Sequence, residues 1–161
     1  MPIDVIRRNA DAALLPSPRY GGPPYGRGAR AEGESWRRAF AGDPREAGAA
    51  RGFVRFLLEG FPRRDDVVQV VAEFVANALQ HTASGAPGGA YVVEVCRWGD
   101  AVTVAVSDEG GESEPSPLPY ARSADELREG GRGLLTVAAT ASEWGWYGNA
   151  RGRTFTALFH G

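Results

Sequence analysis

Lysine is absent from this 161-residue chain, and all 18 of its basic residues are arginine. The absence excludes a Walker-type phosphate loop, because the lysine of that loop contacts the phosphates as part of its mechanism. Any nucleotide that the chain binds must therefore be held in another way.

Cysteine, long apolar runs and excess charge are also scarce. Cys96 is the only cysteine, which excludes an internal disulfide, and its strand-like surroundings predict a small core or sheet residue. No apolar run approaches the ~20 residues that span a bilayer, and the N-terminus lacks the apolar core of a secretory signal. The formal charge is only -2. We therefore expect a cytoplasmic protein with neither a membrane nor a direct nucleic-acid partner.

The chain divides into an N-terminal tail and one domain. Residues 1–33 are rich in proline, glycine and arginine and carry little periodic hydrophobicity, which predicts a disordered tail. A weak contact of this arginine-rich tail with an acidic partner or with nucleic acid is the alternative. Residues 34–161 are long enough for a single domain with its own core.

Hydrophobic periodicity predicts the order strand, helix, helix, strand, strand, loop, helix, strand, strand. The first strand is Trp36–Phe40, which we expect at the sheet edge, and Asp43 and Pro44 should begin the first helix. The remaining predicted elements are a helix from near Arg64 to Thr82, strands at Ala90–Trp98 and Ala101–Ser107, a loop at Asp108–Glu129, a helix at Leu134–Ala141, and strands at Glu143–Tyr147 and Thr154–Phe159. This order predicts an α+β two-layer sandwich, in which helices cover one face of a mixed, mostly antiparallel sheet.

Three polar residues at four-residue steps are the main functional signal. Glu73, Asn77 and His81 occupy one face of the second predicted helix, beside an otherwise apolar pattern. Polar groups at a buried edge cost free energy unless a partner pairs with them. A metal-bound phosphate would be such a partner.

Three glycine-containing segments accompany this polar row. Asp108-Glu-Gly110-Gly111 ends a strand, Gly131-Arg-Gly133 begins a helix, and Gly152-Arg-Thr154 enters the last strand. Each of them alone is typical of an ordinary turn. In this order, and on these elements, they resemble the Bergerat (GHKL) ATP-binding fold. From Trp36 onward the chain is similar to the stand-alone anti-sigma-factor serine/threonine kinases of the SpoIIAB and RsbW type.

The resemblance implies bound ATP and Mg²⁺ and a role for each motif residue. Glu73 matches the general base and Asn77 the Mg²⁺ ligand, and a carboxamide oxygen suits this hard cation. Asp108 matches the aspartate that accepts a hydrogen bond from the amino group of adenine, and Gly110 would let the backbone pass close to the base.

The remaining matches concern the phosphates and the adenine support. Gly131 and Gly133 would present backbone N–H groups to phosphate at a helix N-terminus, and Arg132 between them could reach a phosphate as well. Thr154 matches the threonine that supports the adenine through water, and His81 closes the helix beside the phosphates. The family's further glycine is replaced here by Glu112.

The resemblance also implies partners and a regulatory function. A kinase of this type phosphorylates an anti-anti-sigma protein of the STAS type and sequesters a sigma factor in its other state. A homodimer through the Trp36–Phe40 strand is a further expectation. Two alternatives remain: a non-catalytic ATP-binding switch of the same fold, and a hydrolase that uses Glu73 and Asp108 as its two carboxylates.

Overall fold

The computed structural model describes residues 6–9, 33–112 and 132–161. These residues form six strands and three α-helices. The strands are β1 (Ile6–Asn9), β2 (Glu34–Ala41), β3 (Ala90–Trp98), β4 (Ala101–Asp108), β5 (Glu143–Asn149) and β6 (Gly152–His160), and the helices are α1 (Ala47–Leu57), α2 (Arg64–His81) and α3 (Arg132–Thr140). The predicted α+β class is confirmed, and from β2 onward the helices and strands follow the predicted order.

The six strands form one sheet in the order β1-β2-β3-β4-β6-β5. Every pairing in the described part of the chain is antiparallel, so no parallel pair contributes to the sheet there. The expectation that β2 lies at the sheet edge was wrong, because β1 pairs with it antiparallel and places Ile6 opposite Arg37. A homodimer contact through the free edge of β2 is therefore not supported.

The N-terminal segment contributes that first strand. Ile6–Asn9 was included in the predicted disordered tail, yet these four residues are extended and paired in the structure. The rest of the tail and most of the predicted Asp108–Glu129 loop lie outside the described residues. The domain boundary at residue 34 stays a prediction.

Helix α1 begins with a tighter turn than the sequence predicts. Asp43 caps a short 3-10 helix at Pro44–Glu46, and its Oδ1 accepts a hydrogen bond from the Arg45 backbone N–H at 2.9 Å. The Arg45 side chain also bonds this carboxylate, and together these bonds lower the pKa of Asp43 to about 2. The α-helix proper starts only at Ala47.

Helix α2 packs its apolar face onto β4 and β6. The Phe74 ring is fully buried and lies 5.3 Å from the Phe155 ring on β6. Burial of one such side chain stabilises the fold by about 2–3 kcal/mol. Glu73 and Asn77 are half-buried at the border of this face, and His81 is exposed at the helix end. The predicted polar row therefore lies along the border between core and solvent.

The opposite face of the sheet carries Cys96, which is 1% exposed and contacts Ser35. Burial raises the pKa of its thiol to about 12, so the side chain remains neutral. The prediction of a buried sheet residue is confirmed. No helix in the described ranges has the length and apolar character needed to cross a bilayer.

Candidate functional site

Glu73 lies against the start of α3. A β-carbon added at Gly133 would lie 2.5 Å from the Glu73 Oε2 atom, well inside van der Waals contact. Glycine thus allows the first turn of α3 to approach the carboxylate. Two residues that the sequence predicts to act together, Glu73 and Gly133, are neighbours in the structure.

The C-terminal end of α2, two turns beyond Glu73, lies against the loop that follows β4. Gly110 has a φ of +77°, and its carbonyl accepts a hydrogen bond from the Ala83 N–H at 2.9 Å. A β-carbon at Gly111 would lie 2.4 Å from the carbonyl oxygen of His81. The loop is therefore held close to the C-terminal end of α2 by backbone contacts.

Ser84 strengthens this junction, although sequence reasoning did not identify it. It is fully buried, and its Oγ accepts a hydrogen bond from the Glu109 N–H at 2.9 Å. The Glu109 carboxylate in turn accepts a bond from the Ala90 N–H at 3.0 Å. Nothing in the local sequence distinguishes Ser84 from the other small polar residues of this turn.

Asp108 is the last residue of β4 and is 8% exposed. Its Oδ1 accepts a hydrogen bond from the Gly110 N–H at 2.7 Å. Burial raises the pKa of this carboxyl, while the hydrogen bond from Gly110 and the positive charge of Arg153 oppose the rise. The side chain is a buried acceptor at the end of the strand, next to the loop Glu109–Gly111, which we call the glycine loop.

Thr154 is not brought to Asp108. The hydroxyl groups of Thr154 and Ser107 lie 2.8 Å apart, and the residue paired with Asp108 is Arg153. Because successive strand residues point to opposite faces, Thr154 lies with Ser107 on the face away from the Asp108 carboxylate. The expected adenine support by Thr154 does not agree with this register.

Arg153 occupies the position where Thr154 was expected. It is 5% exposed, its Nη2 donates a hydrogen bond to the Gly111 carbonyl, and its guanidinium lies 5.9 Å from the centre of the Trp146 ring. The sequence alone did not identify Arg153, because only the strand register decides which of two adjacent residues faces Asp108.

An open cavity of about 560 Å³ lies beside the glycine loop. Its lining comprises Gln80, His81, Thr82, Ala83, Glu109, Gly110, Gly111, Glu112 and Ala150. Its volume lies in the range of ordinary small-molecule sites. His81 and Gly110 are the predicted site residues in this lining, whereas Glu73, Asn77 and Asp108 lie outside it.

Asn77 and Arg132 are located by the helices that carry them. Asn77 lies on α2 one turn from Glu73 and one turn from His81. Arg132 is the first residue of α3, and its side chain and the whole of Gly131 lie outside the described part of the chain. In that described part no group of three or more histidine, cysteine, aspartate or glutamate residues could hold a metal ion. A magnesium ion would rely on few protein ligands, as this cation commonly does.

An antiparallel sheet with helices on one face, a polar-edged helix and two glycine-mediated contacts along that helix agree with the class of GHKL-type nucleotide-binding domains that the motifs predict. The family model "Histidine kinase-like ATPase domain" matches residues 40–157, which is more than half of the chain. The chain belongs to this family, which confirms the resemblance of its motifs to the GHKL ATP-binding fold.

Two solved structures share the fold. The RsbU and RsbW domains of Rv1364c from Mycobacterium tuberculosis align with a TM-score of 0.57 and 23% identity, over 77% of this chain and 32% of that one. The SiaB-SiaC complex from Pseudomonas aeruginosa aligns with a TM-score of 0.52 and 19% identity, over 75% of this chain and 88% of that one. The chain thus spans about a third of the Mycobacterium protein chain. No curated protein sequence matches it.

Proposed function

We propose that this chain is an ATP-binding regulatory protein that transfers phosphate to a serine or threonine of an anti-anti-sigma protein of the STAS type. One observation carries the proposal: α2 contacts the glycine loop of β4 at its His81 end and the start of α3 at Glu73. Family membership supports ATP as the nucleotide. The kinase activity and the partner are expectations from the resemblance.

The spacing along α2 suits a nucleoside triphosphate with its cation. Glu73 and His81 are eight residues apart, which corresponds to about 12 Å along a helix. We place the adenine at Asp108 beside the glycine loop and the phosphates toward α3, with Asn77 between these two ends. Magnesium, when bound through the Asn77 carboxamide oxygen, would neutralise part of the phosphate charge.

Glu73 would act on the attacking group. In the proposed step the hydroxyl oxygen of the target residue forms a bond to the γ-phosphorus, and the bond from that phosphorus to the bridging oxygen of ADP breaks. The hydroxyl proton passes to the Glu73 carboxylate, which therefore serves as general base. This carboxylate lies against Gly133 in the N-terminal turn of α3, where backbone N–H groups favour phosphate.

Calorimetric titration tests the binding half of the proposal. Wild type should bind ATP more tightly in the presence of Mg²⁺ and should prefer ATP to GTP, because Asp108 accepts a bond from an amino group and opposes the oxygen of guanine. Asn77→Ala should lose most of the Mg²⁺ dependence. Gln69→Ala is the matched control, since it removes an exposed carboxamide from the same helix, two turns before Asn77.

Equal affinity of wild type for ATP and GTP would contradict the proposed base site. Indifference of ATP binding to Asn77→Ala in the presence of Mg²⁺ would contradict the proposed metal ligand.

Phosphate transfer tests the catalytic half. Wild type and Glu73→Ala are incubated with γ-labelled ATP and a panel of STAS-domain proteins from the same genome. We expect Glu73→Ala to retain ATP binding and to transfer label at least 10²-fold more slowly, the usual contribution of a general base. If wild type binds ATP and labels none of the panel, the non-catalytic ATP-binding switch replaces the kinase.

The wider biological role follows from the same proposal. An anti-sigma factor acts in the cytoplasm, binds a sigma factor directly, and needs neither a membrane nor nucleic acid. The SiaB-SiaC structure is a complex of two proteins, which supports a protein partner for this fold. Size-exclusion chromatography with light scattering, with and without ATP, would establish whether the chain is a homodimer.

A further inference from the structure

Arg153 is a buried cation at the end of the sheet that carries Asp108. The two residues are direct partners across β4 and β6, and they are 5% and 8% exposed. A buried guanidinium is costly unless its donors are bonded. One of its donors bonds the Gly111 carbonyl. Arg153 thus lies beside Asp108 and bonds the glycine loop.

The guanidinium keeps one buried donor unpaired. Its Nε has no hydrogen-bond partner among the described residues, although it is shielded from solvent. Buried donors of this kind are uncommon in folded proteins and call for a specific explanation. A ligand with an acceptor beside Asp108 would satisfy it.

The edge of adenine has the complementary pattern. Its amino group is a donor and its neighbouring ring nitrogen, N1, is an acceptor. Asp108 supplies an acceptor and Arg153 supplies a donor from paired positions on adjacent strands. Such a pair can bond both groups of the base at once.

We propose that Arg153 is a specificity residue of the base site, which donates a hydrogen bond to N1 of adenine while Asp108 accepts one from its amino group. The inference rests on the proposed ATP function and extends it by a second point of base recognition. A guanidinium that only stabilised the glycine loop would affect all nucleotides alike, whereas a donor to N1 distinguishes ligands by that single atom.

The test pairs one atom of the ligand with one residue of the protein. ATP and 1-deaza-ATP, in which a C–H group replaces N1, are titrated calorimetrically into the full chain and into Arg153→Met. Wild type should bind 1-deaza-ATP about tenfold more weakly than ATP, as expected when a charge-assisted hydrogen bond is lost. Arg153→Met should bind both nucleotides with equal affinity.

Thr154→Val is the matched control, because Thr154 is adjacent in sequence and faces the other side of the sheet. It should retain the tenfold preference for ATP. Thermal unfolding of each variant verifies that it is folded, and Arg153→Gln serves as the second variant if Arg153→Met does not fold. The comparison of the two ligands on wild type needs no substitution.

The possible outcomes distinguish a failure of the role proposed for Arg153 from a failure of the proposed ATP function. If wild type binds neither ATP nor 1-deaza-ATP, the proposed ATP function fails. If wild type binds both nucleotides equally, or if the variant keeps the tenfold difference, ATP binding stands and the role of Arg153 is overturned.

Discussion

The C-terminal end of α2 and its middle hold the site in different ways. At the C-terminal end, backbone groups of the glycine loop meet backbone groups of the helix end, and a buried serine bonds the loop as well. At Glu73, in the middle of the helix, a flexible side chain lies against the backbone of Gly133 instead. The first contact is a rigid junction, and the second depends on the position of a single carboxylate.

Because of this difference, we expect changes at one contact to affect mainly stability and changes at the other to affect mainly activity. Backbone contacts cannot move without disturbing the strand and helix that carry them, so changes at the His81 end should lower the free energy of unfolding. A carboxylate can rotate away at small cost. Changes at Glu73 should therefore lower the rate of phosphate transfer far more than the free energy of unfolding.

The largest effect on stability is expected for Gly110→Ala. The new β-carbon would lie 2.2 Å from the Ala150 carbonyl oxygen, and the backbone has a φ of +77°. Strain of this kind costs about 1–3 kcal/mol, and the contact with backbone adds to it. Urea unfolding should show a loss of at least about 2 kcal/mol.

Gly88→Ala isolates the contribution of the contact. Gly88 has a nearly equal φ of +80° but open space around its β-carbon position. This variant should show the conformational cost alone. Equal losses in the two variants would disprove the rigid junction at the His81 end.

Ser84→Ala should have the next largest effect. It removes the fully buried Ser84 hydroxyl and leaves the Glu109 N–H without this partly buried bond, which costs about 1 kcal/mol. The exposed Ser142→Ala is the control, and it should change the free energy of unfolding by less than about 0.5 kcal/mol. Similar values for both variants would remove Ser84 from the junction.

Asp108→Asn is expected to stabilise the fold while it weakens ATP binding. Because burial raises the pKa of Asp108, the folded state holds this proton more tightly than the unfolded state, and stability falls as pH rises through the raised pKa. The neutral amide avoids this loss. At pH 7 its melting temperature in a thermal unfolding scan should exceed that of wild type.

The pH dependence of the stability difference between Asp108→Asn and wild type tests the direction of this pKa shift. The advantage of Asp108→Asn should disappear below the ordinary aspartate pKa of 3.8, where both side chains are neutral. Asp43→Asn should behave in the opposite sense, because Arg45 lowers the pKa of Asp43 to about 2 and the stabilisation is lost as pH falls through that value. An Asp108→Asn protein less stable than wild type at pH 7 would contradict the burial argument.

Helical spacing accounts for what the sequence predicted well. The four-residue steps of Glu73, Asn77 and His81 follow from the geometry of any helix, and the apolar residues between them required α2 to pack on the sheet. The hairpin of β3 and β4 was predicted equally directly, since the apolar run breaks at Gly99 and Asp100. Local patterns of this kind need no knowledge of distant residues.

Pairing between distant strands accounts for what the sequence did not reveal. Whether Arg153 or Thr154 faces Asp108 depends on the register between β4 and β6, and a shift by one residue reverses the faces. The pairing of β1 with β2 joins two segments that are 24 residues apart in the sequence. Neither contact leaves a signal in the adjacent sequence.

The smallest effect on stability is expected for Gly133→Ala, and this variant tests the contact between Glu73 and Gly133 directly. The new methyl group would meet the end of the Glu73 side chain, which can rotate away, and alanine favours the helical backbone of α3 by about 1 kcal/mol over glycine. We expect a melting temperature equal to or above that of wild type, as for the control Gly52→Ala, which lies in α1 with open space around it.

Phosphate transfer should nevertheless fall by about 10²-fold in Gly133→Ala alone, because a displacement of roughly 1 Å at a catalytic group has this cost. If a structure of the variant shows Glu73 displaced and the variant keeps full activity, the carboxylate is not the base. A strong loss of stability would show that the contact at Glu73 is as rigid as the contact at His81.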